Sequence, residues 1–429
     1  MENKSNTISP SNPNQKLQQT RVWVNGPIIV GAGPSGLAVA ASLRLHSVPF
    51  LIVEKSDDIA FLWRHRTYDR LSLHLPKPFC HLPHVPFPPH FPTHPSRNHF
   101  LSYLLSYAHL FSLRPLFRHA VTDARFDPAL SAWRVTTSHS AAEFVSRWLV
   151  VATGENAEPV VPEFPGLEAF LGEKTTTKTK TKKKKKVVHS AEYKTGERYR
   201  GKKVLVVGCG NSGMEVCLDL CDHGATPFMS VRSGVHVLPR EMFGMSTFGL
   251  AMKLLKWLPL RLVDRFLLMV SKRMLGDTEK YGLKRPKMGP LELKNTTGKT
   301  PVLDMGTLAY IKNGRIKIVP EVESLTCSGA KLVDGREMEF DSMIFATGYK
   351  SNVPSWLKGS DFFSVDGKLK VPFPNGWQGE NGLYCVGFTG KGLLGASADA
   401  VNIARDIAEK WRNQTENKSF IVYTQSLSA

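Results

Sequence analysis

The sequence predicts an α/β protein: two Rossmann-like dinucleotide-binding domains, with the second inserted in the first. Two stretches, residues 28–43 and 202–224, carry this prediction, because in each an apolar strand runs into a Gly-x-Gly-x-x-Gly turn and then a helix. Two later apolar strands, ending at residues 154 and 348, both close with Ala-Thr-Gly. The repeated order of motifs indicates two related nucleotide-binding units.

The first turn, GAGPSG, follows an apolar strand at Ile28 to Val30. The first glycine permits a sharp turn, the second lets a pyrophosphate approach the backbone, and the third lets the helix pack on the strand. Glu54 ends the next apolar run, 23 residues after Gly31, where a carboxylate can accept both hydroxyl hydrogens of an adenosine ribose. A purely structural turn is the alternative. The predicted binding residues here are Gly31, Ala32, Gly33, Pro34, Ser35, Gly36, Glu54, Lys55 and Trp63.

The second turn, GCGNSG, has a different residue after its next strand. That strand ends in FMSVRSG, which places Arg232 and Ser233 where the first unit has Glu54. A guanidinium and a hydroxyl suit a ribose 2′-phosphate, so the sequence favours NADPH over NADH. An arginine that merely follows a strand is the alternative. The predicted binding residues here are Gly208, Cys209, Gly210, Asn211, Ser212, Gly213, Arg232 and Ser233, with Thr347 and Gly348 from the later Ala-Thr-Gly strand.

The charge and composition exclude several classes of protein. The chain has 429 residues, is 42% hydrophobic and carries a net charge of +19, of which eight lysines between 174 and 186 supply a large part. We expect this Lys/Thr-rich tract to be a disordered surface insertion, and without interleaved aromatic residues it does not indicate nucleic-acid binding. The polar first 20 residues resemble no signal peptide, and no apolar run is long enough to span a bilayer.

Residues 248–270 form the most apolar stretch, but charged residues and a proline interrupt it. We expect amphipathic helices whose apolar face points inward over a cleft. Helices that lie on a membrane surface are the alternative, so peripheral membrane contact stays open.

Histidines and cysteines are plentiful but not patterned for metal. Nine of the fourteen histidines lie between residues 65 and 119, without an HExxH motif or a carboxylate cluster, so no metal site is expected. The prolines among them predict a rigid, irregular loop that walls the active site. Six unpatterned cysteines favour a reducing compartment. We therefore expect a cytoplasmic protein, with the surface of the endoplasmic reticulum as the alternative.

The predicted boundaries follow from these motifs. Residues 1–21 form a disordered lead-in, residues 22–165 and 320–412 the first domain, residues 166–319 the second domain with a helical insertion, residues 173–187 the Lys/Thr-rich insertion, and residues 413–429 a tail.

Several longer blocks carry a resemblance to a known family. They include RTYDRLSLHLPKPFC, LVVATGENAEP, VLPREMFGMSTFGLA, MGPLELKNTTGKTPVLD and GLYCVGFTGKGLLGAS. With both glycine turns, they resemble the plant YUCCA flavin monooxygenases over nearly all of residues 22–410. The resemblance implies FAD in the first unit, NADPH in the second, and O2-dependent oxidative decarboxylation of indole-3-pyruvate to indole-3-acetic acid, the auxin.

The resemblance also supplies candidate catalytic residues and one departure. His74, Lys77 and Asn211 are the candidates for positioning and charge stabilisation. The monooxygenase signature FxGxxxHxxxY is present as Phe170, Gly172, His189 and Tyr193, but the lysine tract interrupts it. Three alternatives stay open: a flavin monooxygenase acting on N, S or keto groups, a disulfide or quinone reductase, and a catalytically impaired flavoprotein. The sequence does not determine the oligomeric state.

Overall fold

The first sheet is parallel and almost completely buried. The computed structural model describes residues 20–172, 186–370 and 376–426. The sheet consists of four strands in the order Leu383–Cys385, Leu149–Val151, Ile28–Val30 and Leu51–Val53. A parallel sheet needs cover on both faces, which is why its strands are nearly continuous apolar runs. One face packs against helices Pro34–Leu45, Arg97–Leu110 and Gly392–Ser426.

A second layer of five strands covers the other face. Its strand order is Arg21–Trp23, Glu143–Ser146, Ala132–Thr137, Val121–Asp127 and Leu357–Lys358. Trp133 and Val135 of this layer pack against Ile28 and Val30 of the first sheet. Strand Leu149–Val151, which follows this layer's strands in the chain, belongs to the first sheet. We call the first sheet with these two layers the first unit.

The second sheet is also parallel, with five strands. Their order is Lys317–Val319, Thr226–Ser230, Lys203–Val207, Ser342–Phe345 and Lys186–His189. Helix Asn211–Asp222 packs on one face. A three-stranded antiparallel sheet, Val322–Leu325, Gly329–Leu332 and Glu337–Glu339, covers the other, together with helix Leu167–Leu171. These elements form the second unit, and the fold class predicted from the sequence is confirmed.

The predicted boundary between the domains at residue 319 is wrong. Strand Ser342–Phe345 pairs with Lys203–Val207 in the second sheet, and the three-stranded sheet before it packs on the same unit. The second unit therefore extends to about residue 348. The reason is the repeat itself, since each Ala-Thr-Gly strand lies beside the strand that enters its own glycine turn.

The second unit also contains inserted helices that follow strand Thr226–Ser230 of its parallel sheet in the chain. They are Thr247–Leu254, Leu260–Leu275, Pro290–Thr297 and Thr307–Lys312, with the short strand pairs Val237–Pro239/Val302–Asp304 and Glu241–Met242/Met245–Ser246. Val263, Leu267 and Val270 point inward against Met242 and Leu250, so the predicted inward apolar face is confirmed. Shorter helices are Phe61–His65 and Val353–Trp356, with 3-10 turns at Lys77–Phe79, Gly196–Tyr199 and Glu279–Tyr281.

A two-stranded ribbon joins the units. Glu158–Pro159, where the chain enters the second unit, pairs antiparallel with Tyr349–Lys350, where it returns. The Val160 N–H donates to the Gly348 carbonyl at 3.0 Å, and the Thr347 hydroxyl donates to the Val160 carbonyl. Both chain crossings are thus held to each other.

The ends of several predicted segments need correction. The helix that follows the proline-rich loop spans Arg97–Leu110, and Ser96 caps its first turn by accepting the His99 N–H. A strand begins at Arg21 inside the predicted lead-in, and the last helix continues to Ser426 through the predicted tail. The rest of the lead-in and the lysine tract from 173 to 185 lie outside the described residues. Among the helices that are described, none has the length and apolar character needed to cross a bilayer.

Candidate flavin and nicotinamide sites

The first glycine turn has the geometry that its three glycines predict. Gly31 has φ +113°, and a Cβ there would lie 2.7 Å from the Ala152 carbonyl oxygen. A Cβ on Gly36 would lie 1.9 Å from the Gly31 carbonyl oxygen. At Gly33, by contrast, no atom of the described residues lies within 4 Å of a Cβ position. The turn is therefore closed by backbone on two sides and open where a pyrophosphate would approach the helix N-terminus, with Pro34 at the first helical position.

Glu54 lies beside this turn and is already bonded to it. One carboxylate oxygen accepts the Ala32 N–H at 2.7 Å, and the other accepts the N–H and hydroxyl of Ser56 at 2.9 and 2.6 Å. A carboxylate has about four acceptor positions, so the protein fills three. One ribose hydroxyl fits the remaining position, whereas two require the Ser56 hydroxyl to turn away.

The second glycine turn repeats the first. Gly208 also has φ +113°, its Cβ would lie 2.4 Å from the Ala346 carbonyl oxygen, and a Cβ on Gly213 would lie 2.1 Å from the Gly208 carbonyl oxygen. Gly210 is open, with no atom within 4 Å. Ala152 and Ala346 thus play the same part in the two units: a small residue at the end of the neighbouring strand lets the turn pack closely.

Arg232 follows strand Thr226–Ser230 at the same edge, as predicted. Its side chain is 78% exposed, and its Nε lies 3.8 Å from Glu321. Ser233 is exposed next to it. An exposed guanidinium with one distant carboxylate neighbour is accessible to a phosphate.

The structure brings two of the three catalytic candidates to one helix. The His74 imidazole contacts the carboxylate of Glu215, which is buried on helix Asn211–Asp222. The Asn211 side chain, at the start of that helix, accepts the Leu303 N–H at 3.1 Å. Lys77 lies apart from them: its ammonium donates to the carbonyls of Pro89 and Phe91, each at 2.8 Å. All three side chains therefore have protein partners. The Lys77 side chain organises the proline-rich loop.

Sequence reasoning missed two residues at this junction. Glu215 is buried and joins the proline-rich loop to the second glycine helix through His74. Tyr68 is also buried, and burial, followed by the charge of Glu215, raises the pKa of its phenol. Tyr68 lies in RTYDRLSLHLPK and Glu215 directly follows GCGNSGM, so both were inside recognised blocks, but no local pattern pairs residues so far apart in sequence.

Two buried hydroxyls fit a ligand at the edge of the first sheet. Thr153 follows strand Leu149–Val151, and Thr389 precedes the C-terminal helix. The Oγ1 atoms of both are buried, with no hydrogen-bond partner among the described residues. A Cβ on Gly387 would lie 2.4 Å from Ser35 Oγ, so the turn that carries Thr389 contacts the first glycine helix. The open turn and these unpaired hydroxyls are what a dinucleotide with a polar ring would need.

Lys55 lines a cavity of about 580 Å³ with Arg66, Arg118 and Tyr349. The cavity opens between the end of strand Leu51–Val53 and the connecting ribbon. Trp63 does not line it and packs edge-on against Phe100, with ring centroids 4.6 Å apart. The structure therefore does not bring Lys55 and Trp63 into one pocket.

The cysteines are all free thiols. Burial raises the pKa of Cys209 to about 11 and that of Cys221 to about 11, so both stay protonated at neutral pH. Cys217 and Cys221 face the core of the second unit. Within the described parts of the chain, no group of three His, Cys, Asp or Glu side chains is placed to hold a metal ion.

These two turns, each followed by a strand with a charged residue at its end, define a protein with two dinucleotide-binding units. Comparison with known proteins agrees, since the family model for Flavin-binding monooxygenase-like proteins matches residues 27–371. The chain belongs to this family.

Its relatives include plant proteins that are named indole-3-pyruvate monooxygenases. The chain is 62% identical over 402 residues to Indole-3-pyruvate monooxygenase YUCCA8 of Oryza sativa subsp. indica, covering 91% of this chain and 92% of that protein. It is 54% identical over 427 residues to Probable indole-3-pyruvate monooxygenase YUCCA7 of Arabidopsis thaliana, covering 98% and 96%. Among solved structures, an oxidized steroid monooxygenase bound to NADP aligns with a TM-score of 0.69 at 17% identity, covering 90% of this chain and 85% of that one. That likeness concerns the fold.

Proposed function

We propose that this protein is an FAD-dependent monooxygenase that converts indole-3-pyruvate, O2, NADPH and a proton to indole-3-acetic acid, CO2, NADP+ and water. The 62% identity to the rice relative over nine-tenths of both chains carries the proposal. The two open glycine turns, the Glu54 carboxylate and the exposed Arg232 support it. The protein acts on a small molecule, and we place it in the cytoplasm.

The residues have separable parts in this function. The first turn and Glu54 would hold FAD, and the second turn and Arg232 would hold NADPH. FAD bound there would supply the redox chemistry between NADPH and O2. The protein's own contribution is to orient the two cofactors and to exclude water. The contact between His74 and Glu215 supports this part, because it ties the loop of the first unit to the helix that begins at Asn211.

A spectroscopic and product assay tests the proposal. The purified protein should be yellow, its flavin absorbance should bleach with NADPH under anaerobic conditions, and NADPH consumption in air should require indole-3-pyruvate and yield equimolar indole-3-acetic acid. A yellow protein that bleaches but leaves indole-3-pyruvate unchanged would support another monooxygenase substrate. A protein that does not bind flavin would contradict the proposal altogether.

A disulfide reductase with the same two units is the competing function. Such an enzyme needs a thiol pair beside the flavin ring, and Cys217 and Cys221 lie instead in the core of the second unit. NADPH-dependent reduction of a small disulfide by the purified protein, without consumption of indole-3-pyruvate, would favour this alternative.

A further inference from the structure

The inserted helices bear a second apolar face that the core does not use. Helix Leu260–Leu275 buries Val263, Leu267 and Val270 against the protein. On the adjoining side of the helix Leu262 is 48% exposed and Met269 is 64% exposed, with the half-buried Phe266 between them. Residues three and four apart share one face of a helix, so these three side chains form an outward stripe.

Two aromatic side chains extend this stripe. Phe243, in the turn between the short strands Glu241–Met242 and Met245–Ser246, is 70% exposed, and its ring centroid lies 6.3 Å from that of Phe266. Trp257, in the connection before the long helix, is 87% exposed, with the exposed Leu258 next to it. We call Phe243, Trp257, Leu258, Leu262, Phe266 and Met269 the outer patch.

The charge around the outer patch is mostly positive. Residues 243–275 contain six lysines and arginines, at 253, 256, 261, 265, 272 and 273, and all six are exposed. The single acid in this stretch, Asp264, is buried and accepts the backbone N–H groups of Leu291 and Glu292 at 2.8 and 3.0 Å. Its charge therefore stabilises the start of helix Pro290–Thr297. At the surface Arg261 pairs with Glu292 at 3.5 Å and Glu241 is exposed near Phe243, so the six cations outnumber the acids beside them.

We infer that the outer patch docks on a membrane surface that carries anionic lipid headgroups. Exposed tryptophan, phenylalanine and leucine beside lysine and arginine are suited to the boundary between headgroups and acyl chains, where the rings are buried and the cations meet anionic lipid. A protein partner would need a complementary acidic surface, and a second copy of this chain would bring the same six cations against themselves. The inference does not depend on the proposed reaction, because it concerns a different face of the molecule.

Vesicle sedimentation of the full-length protein tests the inference. Wild type should bind vesicles of phosphatidylcholine and phosphatidylserine in a 7:3 ratio, and binding should weaken in high salt and on vesicles of phosphatidylcholine alone. The double variant Phe243→Ser/Trp257→Ser should partition at least about tenfold less. Lys253→Glu and Lys256→Glu should each weaken binding about fivefold at low salt. Brominated lipid should quench a larger share of the tryptophan emission in wild type than in the double variant.

Matched controls separate docking through the outer patch from other causes of vesicle binding. Trp23→Ser removes a ring that is 57% exposed on the first unit and should leave vesicle binding unchanged. Deletion of residues 174–186 tests whether the lysine tract alone attracts the vesicles. The inference is overturned if wild type does not sediment with vesicles, if Trp23→Ser weakens binding as much as the double variant, or if only the deletion abolishes binding. It is also overturned if the double variant merely converts a dimer to a monomer. Flavin content and thermal melting verify that each variant is folded.

Discussion

The two glycine turns share a backbone and differ in the residue that follows the next strand. Gly31 and Gly208 have the same φ of +113°, and the residues that precede the helices, Gly33 and Gly210, have φ of −77° and −73°. Glu54, however, is buried and holds hydrogen bonds to the protein, whereas Arg232 is exposed and only loosely paired. We propose that the backbone binds the pyrophosphate in both units, while one side chain distinguishes the ribose. A preorganised residue suits a cofactor that stays bound, and an exposed one suits a cosubstrate that exchanges.

The largest effects are expected when a Cβ is added to a closely packed glycine in each turn. Gly36→Ala places a Cβ 1.9 Å from a carbonyl oxygen, so the helix must move, and we expect flavin content after gel filtration to fall to background. Gly213→Ala makes the equivalent change at 2.1 Å in the second turn. It should leave the protein yellow but slow anaerobic bleaching by NADPH at least about a hundredfold, a barrier increase of about 2.7 kcal/mol. Each variant is the control for the other, and loss of flavin in both would contradict separate roles.

Removal of the Arg232 side chain should have the next largest effect. A charge-assisted contact to a phosphate contributes about 1.5–3 kcal/mol, so Arg232→Ala should raise KM for NADPH roughly tenfold or more. KM for NADH should change less than about twofold, because NADH has no 2′-phosphate. Arg336→Ala is the matched control, since Arg336 also pairs with a carboxylate in an exposed turn. Equal changes for NADPH and NADH would contradict the assignment.

Neutralising the Glu54 carboxylate tests how much its charge contributes to FAD binding. Glu54→Gln retains an oxygen for the Ala32 N–H but replaces charge-assisted bonds with neutral ones, a loss of about 1 kcal/mol. The dissociation constant for FAD, measured by fluorescence titration of the apoprotein, should rise about fivefold. Ser56→Ala should leave it unchanged or lower it, because the hydroxyl no longer occupies an acceptor position. Weaker binding in Ser56→Ala would mean that Ser56 holds Glu54 in place.

The smallest effect is expected at Glu321. Its carboxylate lies 3.8 Å from the Arg232 guanidinium and competes with an incoming phosphate. Exposed ion pairs contribute at most about 1 kcal/mol, so Glu321→Gln should lower KM for NADPH about twofold. The same change in Arg232→Ala should have no effect, which a double-mutant cycle on KM would measure. An increase in KM would show that Glu321 helps to hold Arg232 in its binding position.

The sequence predicts those parts of the fold that depend on neighbouring residues. Both glycine turns, the Ala-Thr-Gly strands and the inward face of helix Leu260–Leu275 follow from local spacing, and each is present. The contact of His74 with Glu215 joins residues 141 apart, and no periodicity predicts it. Lys77 is another such case, because its partners are backbone carbonyls that a sequence does not display. The boundary at residue 319 was wrong although the repeat contained the signal: strand Ser342–Phe345 carries the second Ala-Thr-Gly and belongs beside Lys203–Val207.

The paired crossings at Glu158–Pro159 and Tyr349–Lys350 affect how the polypeptide folds during synthesis. Every strand of the second sheet lies between these crossings, so that half has all its pairing partners once about 350 residues have left the ribosome. The first sheet has to wait for Leu383–Cys385, which pairs with a strand more than 230 residues earlier in the chain. In a nascent chain stopped near residue 350, the second unit should therefore resist protease while the first unit is still incomplete.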